Sequence, residues 1–113
     1  MQRRASFHIA LAGLLIAMAA AGPATADQTG FASMHDQVRV GGKMCMTDHY
    51  HYGSGQGATK AAAQRAAIGS WQSFTDFEYG SDWARFSKAV GKRQSCSQSG
   101  SGFDCQVEAR PCR

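Results

Sequence analysis

The chain has 113 residues, with twelve Lys/Arg against eight Asp/Glu and a formal net charge of +4. Two of those positive charges, Arg3 and Arg4, sit in a leader-like opening segment, so the remainder carries only about +2, and no basic run is interleaved with aromatics. The length is enough for one domain, and the charge gives no reason to expect nucleic acid as a partner.

Residues 1–26 read as an export signal. Arg3 and Arg4 form the charged start, Ile9 to Ala21 the apolar stretch, and Ala24-Thr25-Ala26 the small-residue cleavage site. The apolar stretch is too short to span a bilayer, so no membrane span is expected after processing. The mature chain then begins at Asp27 and has 87 residues. A domain of that size buries only about 60–65 % of its unfolded surface, which predicts a thin core. The expected compartment is periplasmic or secreted. All four cysteines, Cys45, Cys96, Cys105 and Cys112, fall in the mature part, and an even count in a small exported chain predicts two disulfides.

Residues 27–42 show little periodicity and end in Gly41-Gly42, predicting a flexible arm; Gln37 to Val40 is its one short strand-like run. The first strand is expected over Lys43 to Tyr52. Alternation places Met44, Met46, Tyr50 and Tyr52 on the face toward the helix, and Cys45, Thr47, His49 and His51 on the other. Asp48 among the apolar residues predicts a bulge or an edge position. Gly53 to Gly57 is expected to be a loop. Its GSGQG text lacks the GKS or GKT ending of a phosphate-binding loop, so a plain turn is the better reading.

A long amphipathic helix is predicted from about Thr59 to Tyr79. Ala63, Ala66, Ala67, Ser70, Phe74 and Phe77 recur at helical spacing, with Trp71 on their flank. Thr59 is the expected N-cap and Gly80 the C-terminal stop. Ser81 to Gly91 reads as a strand, with a short helix as the competing reading. Lys92 to Gln98 and Phe103 to Arg110 predict a hairpin about Ser99-Gly100-Ser101-Gly102. In its second strand Phe103, Cys105, Val107 and Ala109 face inward. A turn centred between Gly100 and Ser101 puts Cys96 opposite Cys105. Cys112 has the opposite parity from Cys105, and Cys45 points away from the apolar side of its strand, so the second bond is expected to be Cys45–Cys112.

The predicted architecture over 43–113 is therefore α+β, in the order strand, helix, strand, strand, with one long helix on a small antiparallel sheet stapled by two disulfides. The far face of that sheet, with His49, His51, Asp104, Glu108 and Arg110, is expected to lie open. The reading this favours is a non-enzymatic domain that binds an unknown protein or envelope component there, through His49, His51, Tyr50, Glu108 and Arg110, with self-association as one form of it.

Met44-x-Met46 and His49-x-His51 together suggest metal handling, since thioethers suit Cu(I) and imidazoles suit copper or zinc. Strand parity separates the methionines from the histidines, so the metal alternative rests on His49 and His51, with copper or zinc as the one cofactor to consider. A hydrolase is the remaining alternative. There is no G-x-S-x-G elbow, the cysteines are expected to be oxidised, and Asp76 and Glu78 point to different sides of the helix. No catalytic residue is assigned.

The Ala-rich helix, Trp71 with Tyr79-Gly80 and Trp83-Ala84 after it, and the tail Cys96…Phe103-x-Cys105…Ala109-Arg110-Pro111-Cys112 resemble a group of small exported bacterial proteins of unassigned function. That resemblance implies a shared small domain and carries no catalytic assignment. The strand–helix–strand–strand order is similar to that of dodecins in topology alone, and no flavin site is carried over from them.

Overall fold

The computed structural model describes residues 30–113; the expected export signal and cleavage site lie outside the described residues. The elements, in order, are α1 (Gly30–Ser33), β1 (Gln37–Val40), β2 (Lys43–Met46), β3 (His51–Gly57), α2 (Lys60–Tyr79), two 3-10 turns (Ser81–Trp83 and Phe86–Lys88), β4 (Val90–Ser99) and β5 (Gly102–Arg110). The protein is α+β, with one long helix, two small antiparallel sheets and the disulfides Cys45–Cys112 and Cys96–Cys105. Among the described residues no helix is long and apolar enough to cross a membrane.

The main sheet has the order β3-β5-β4, which places the last strand in the centre. Cys96 lies directly opposite Cys105, and the hairpin closes through Gly100-Ser101. The second sheet is the β1–β2 hairpin. It is tied to the rest by the tail after β5: Met44 N–H donates to the Arg113 carbonyl (3.0 Å), Arg113 N–H to the Met44 carbonyl (2.8 Å) and Met46 N–H to the Pro111 carbonyl (2.9 Å), and the Cys45–Cys112 bond crosses the same seam.

Helix α2 starts and stops where its caps dictate. The Thr59 hydroxyl accepts from Ala62 N–H (3.1 Å), satisfying one of the orphan donors of the first turn. Gly80 ends the helix at φ 96°, a value that only glycine adopts without strain, and its N–H donates to the Asp76 carbonyl (2.9 Å).

The helix packs on β3 and β5 along a line of residues four apart: Ala63, Ala67, Trp71, Thr75 and Tyr79. Trp71 is fully buried, donates from its indole N–H to the Ala109 carbonyl (3.3 Å) and meets Phe86 edge-on. Cys105, Val107 and Ala109 of β5 complete that core, and a second cluster joins Ala32, Met46, Tyr79 and Trp83.

Six local expectations are corrected. Gly53 to Gly57 is not a loop but most of strand β3. Its inward positions Gly53, Gly55 and Gly57 carry no side chain because the helix leaves no room for one. A Cβ at Gly53 would lie 2.6 Å from Trp71 N, and one at Gly57 2.6 Å from Ala63 N. The expected strand over Lys43 to Tyr52 is two strands in two sheets, broken at 47–50. That break changes the parity, so His51 faces the helix and Tyr52 faces out, the reverse of the expectation.

Phe74 and Phe77 are not core; they are 49 % and 81 % exposed. A helix lying on glycines buries a narrow line, and both rings fall outside it. Ser81 to Ala89 forms the two 3-10 turns in place of a strand, because Trp83 and Phe86 must both turn inward, which a two-residue alternation does not allow here. Finally, the arm expected over 27–42 holds α1 and a paired strand, Gln37–Val40.

Candidate metal centre

Three segments meet where α2 ends. The turn after α1 supplies His35, the break between β2 and β3 supplies His49, the first residue of β3 is His51, and the last turn of α2 brings Thr75, Glu78 and Tyr79. The four-residue spacing that buries Trp71 also buries Thr75 and Tyr79, and Glu78 stands one position before Tyr79 at the edge of that stripe.

Ligand atoms of His35, His49 and Glu78 lie within 4.8 Å of one another. In a tetrahedral zinc site with bonds of about 2.0–2.1 Å, ligand atoms sit about 3.3 Å apart, so small side-chain rotations close the set around one ion. His35 is oriented for the task. Its Nδ1 lies 2.8 Å from the Phe31 carbonyl, which can only accept, so Nδ1 carries the proton and the neutral ring keeps its lone pair on Nε2. The rings of His35 and His49 are 4.6 Å apart between centroids, and Tyr79 packs edge-on against both.

His51 lies beside this set, 1 % exposed. Its ring stacks on Tyr79 at 4.8 Å, and Phe74 covers it at the same distance. Nδ1 is 2.8 Å from the Thr75 hydroxyl, which itself donates to the Trp71 carbonyl (2.7 Å). Burial, reinforced by His49 and His35, pushes the His51 pKa down to about 4, so the ring is neutral at physiological pH. Nε2 lies 2.9 Å from Glu78 Oε2, so the ring is paired with the carboxylate. That contact fixes Glu78 beside His35 and His49. Burial, and then Glu78, raise the pKa of Tyr79, which therefore stays a neutral phenol.

Of the residues singled out by sequence, the structure brings His49 and His51 together here. Tyr50 and Tyr52 lie at the border of the same region. Glu108 and Arg110 do not join the site. Glu108 sits on the outer sheet face between Tyr52 and Arg93, in a polar surface continued by Ser54, Gln106 and Ser95. Arg110 donates to the Met46 carbonyl (3.1 Å), with its guanidinium 6.0 Å over the Tyr50 ring. Met44 and Met46 belong to the second core cluster, with Met46 fully buried, so they serve packing.

Sequence reasoning missed His35 and Glu78. His35 lies in a segment without periodicity, and in sequence Glu78 stands out only as a neighbour of Asp76. The available signal was position: Glu78 lies at the end of the helix stripe that runs into Tyr79-Gly80. No known protein family matches the chain, and neither a curated protein nor a solved structure is significantly similar to it.

Proposed function

We propose that this protein is an exported metal-binding domain that holds one Zn(II) or Cu(II) ion through His35, His49 and Glu78, with His51 placed against the carboxylate. The observation that carries the reading is the convergence of those three ligand atoms, with the buried His51 ring holding the Glu78 carboxylate at 2.9 Å. Two imidazoles and a carboxylate suit zinc and divalent copper, whereas the absence of thioether and thiolate from this set argues against Cu(I) as its ion. The surroundings support it too: the Phe31 carbonyl holds the Nδ1 side of His35, which is how metal-ligating imidazoles are oriented. Two disulfides and the leader-like start fit an extracellular or periplasmic setting for such a domain.

Partner binding through the open sheet face was to be built on both histidines together with the tyrosines. With His51 turned inward, that face offers a largely polar surface around Tyr52, and the weight of the site moves to the metal.

The test is a zinc titration of the oxidised protein in competition with a chromophoric chelator. One equivalent is expected to bind, and His35→Ala, His49→Ala and Glu78→Gln each weaken binding by about tenfold or more. The reading fails if the wild type takes up no zinc at 100-fold excess over protein, or if a His35→Ala/His49→Ala variant binds as the wild type does.

A further inference from the structure

Beside the candidate metal centre is a cleft of about 590 Å³. His49, His51 and Glu78 line it together with Ser70, Tyr50, Tyr52 and Phe74. These rings are among the large apolar side chains that the fold leaves exposed, at 38 %, 65 % and 49 %. None of them is needed for the packing line of α2. Their grouping around the histidines is what calls for an explanation, because scattered exposed aromatics do not converge on ligand atoms.

We propose that a metal ion held by His35, His49 and Glu78 keeps one coordination position open to this cleft, and that the position takes a small anionic oxygen-donor ligand bearing an aromatic ring. This rests on the metal reading above. Two histidines and one glutamate are a three-ligand set of the kind that leaves a tetrahedral ion one position for water or an exogenous group. Two of the three, His49 and Glu78, line the cleft, so an ion bound between them sits at its wall.

Charge and shape then define the ligand. A divalent ion against one carboxylate and neutral imidazoles has a net charge of about +1, which an anionic donor neutralises. The Arg110 guanidinium, 6.0 Å over the Tyr50 ring and outside the cleft, adds positive potential nearby. The ligand's ring would pack against Phe74 and the tyrosines, whose faces and edges accommodate a further aromatic group. A cleft of this volume falls within the range of small-molecule sites.

The experiment uses the oxidised protein loaded with Co(II), whose visible bands report coordination directly. Two probes share one metal-binding head: acetohydroxamate, with a methyl group, and benzohydroxamate, with a phenyl ring. Both are expected to shift the cobalt bands, with benzohydroxamate binding about tenfold tighter. Tyr52→Ala, a change of a largely exposed ring, is expected to narrow that ratio at least threefold. Cobalt uptake without a band shift by either probe overturns the open position. Equal affinity for the two probes, or a ratio unchanged in Tyr52→Ala, overturns the aromatic ligand class. A failure of cobalt to bind at all is a different outcome: it sinks the metal reading, and this inference with it.

Discussion

Substituting one glycine on β3 tests how the site is held together. Strand β3 carries His51 and helix α2 carries Thr75 and Glu78, so the spacing between these two elements sets the spacing of the site. That spacing exists only because Gly55 has no side chain. A Cβ there would lie 2.5 Å from both the carbonyl carbon and the Cβ of Ala66, and closer still to Ala67 N, whereas ordinary contact begins at 3.4 Å. The obstacle is mainly helix backbone, which cannot rotate away, so Gly55→Ala forces the helix outward by roughly 1 Å, enough to forfeit a quarter to a half of the dispersion energy along its contact line.

Overpacking of this kind costs about 2–3 kcal/mol, and the reduced freedom of the unfolded chain returns about 0.5 kcal/mol, leaving a net loss near 2 kcal/mol. In urea, with a slope of about 1 kcal/mol/M for a chain this small, the midpoint falls by about 2 M. Gly69→Ala is the control. Gly69 lies in the middle of α2, where an added Cβ meets nothing within 4 Å, so alanine there gains helix propensity and stabilises by up to about 1 kcal/mol. Gly55→Ala within about 0.5 kcal/mol of the wild type would refute the claim that bare glycines set the distance between strand and helix.

Three further outcomes are expected. Under the chain-entropy model the Cys45–Cys112 loop of 67 residues contributes about 4.4 kcal/mol and the Cys96–Cys105 loop of 9 about 2.6 kcal/mol, so the paired alanine variants should differ in that order by urea unfolding. Zinc titration should separate them as well. Loss of Cys45–Cys112 loosens the hairpin that follows His35 and weakens binding more than loss of Cys96–Cys105 does; the opposite ranking counts against His35 as a ligand. Thr75→Val keeps the volume but removes the oxygen 2.8 Å from His51 Nδ1, so zinc affinity should fall about tenfold with little loss of fold by circular dichroism; unchanged affinity would remove Thr75 and His51 from the site. Tyr79 and its hydroxyl are buried, and that oxygen makes no hydrogen bond, so Tyr79→Phe should be neutral or stabilising by about 1 kcal/mol in thermal unfolding; a loss of more than that would show a partner for the hydroxyl.

The parts of this fold that were legible in the sequence are those fixed by parity or by a single residue's chemistry. Thr59 and Gly80 bound the helix because capping needs a hydroxyl at one end and a left-handed residue at the other. Cys96–Cys105 followed from period-two alternation across a turn whose centre could be located, and Cys45–Cys112 from the opposite face parity of the two remaining cysteines, a pairing that stands although the strand assumed for Cys45 is broken at 47–50. The hidden parts share one cause. Glycine carries no hydropathy signal, so Gly53, Gly55 and Gly57 looked like a turn, although their alternation with Tyr52, Ser54 and Gln56 is strand alternation with an empty inner face.

Reading those glycines as the inner face changes everything attached to them. His51 is two residues before Gly53, so it must point the same way, under the helix and away from water. The helix above a bare strand needs alanines and one line of larger residues at a spacing of four, which selects Trp71, Thr75 and Tyr79 and releases Phe74 and Phe77 to the surface. Thr75 is then under the helix with His51, and a polar pair at that depth has to satisfy itself internally, which it does through the Trp71 carbonyl. The other ring nitrogen, His51 Nε2, lies 2.9 Å from Glu78 Oε2 on the side where His35 and His49 converge. The candidate metal centre is thus a consequence of the glycine strand: a side chain at position 55 would lift the helix, move Thr75 and Glu78 away from β3, and disperse the ligand set.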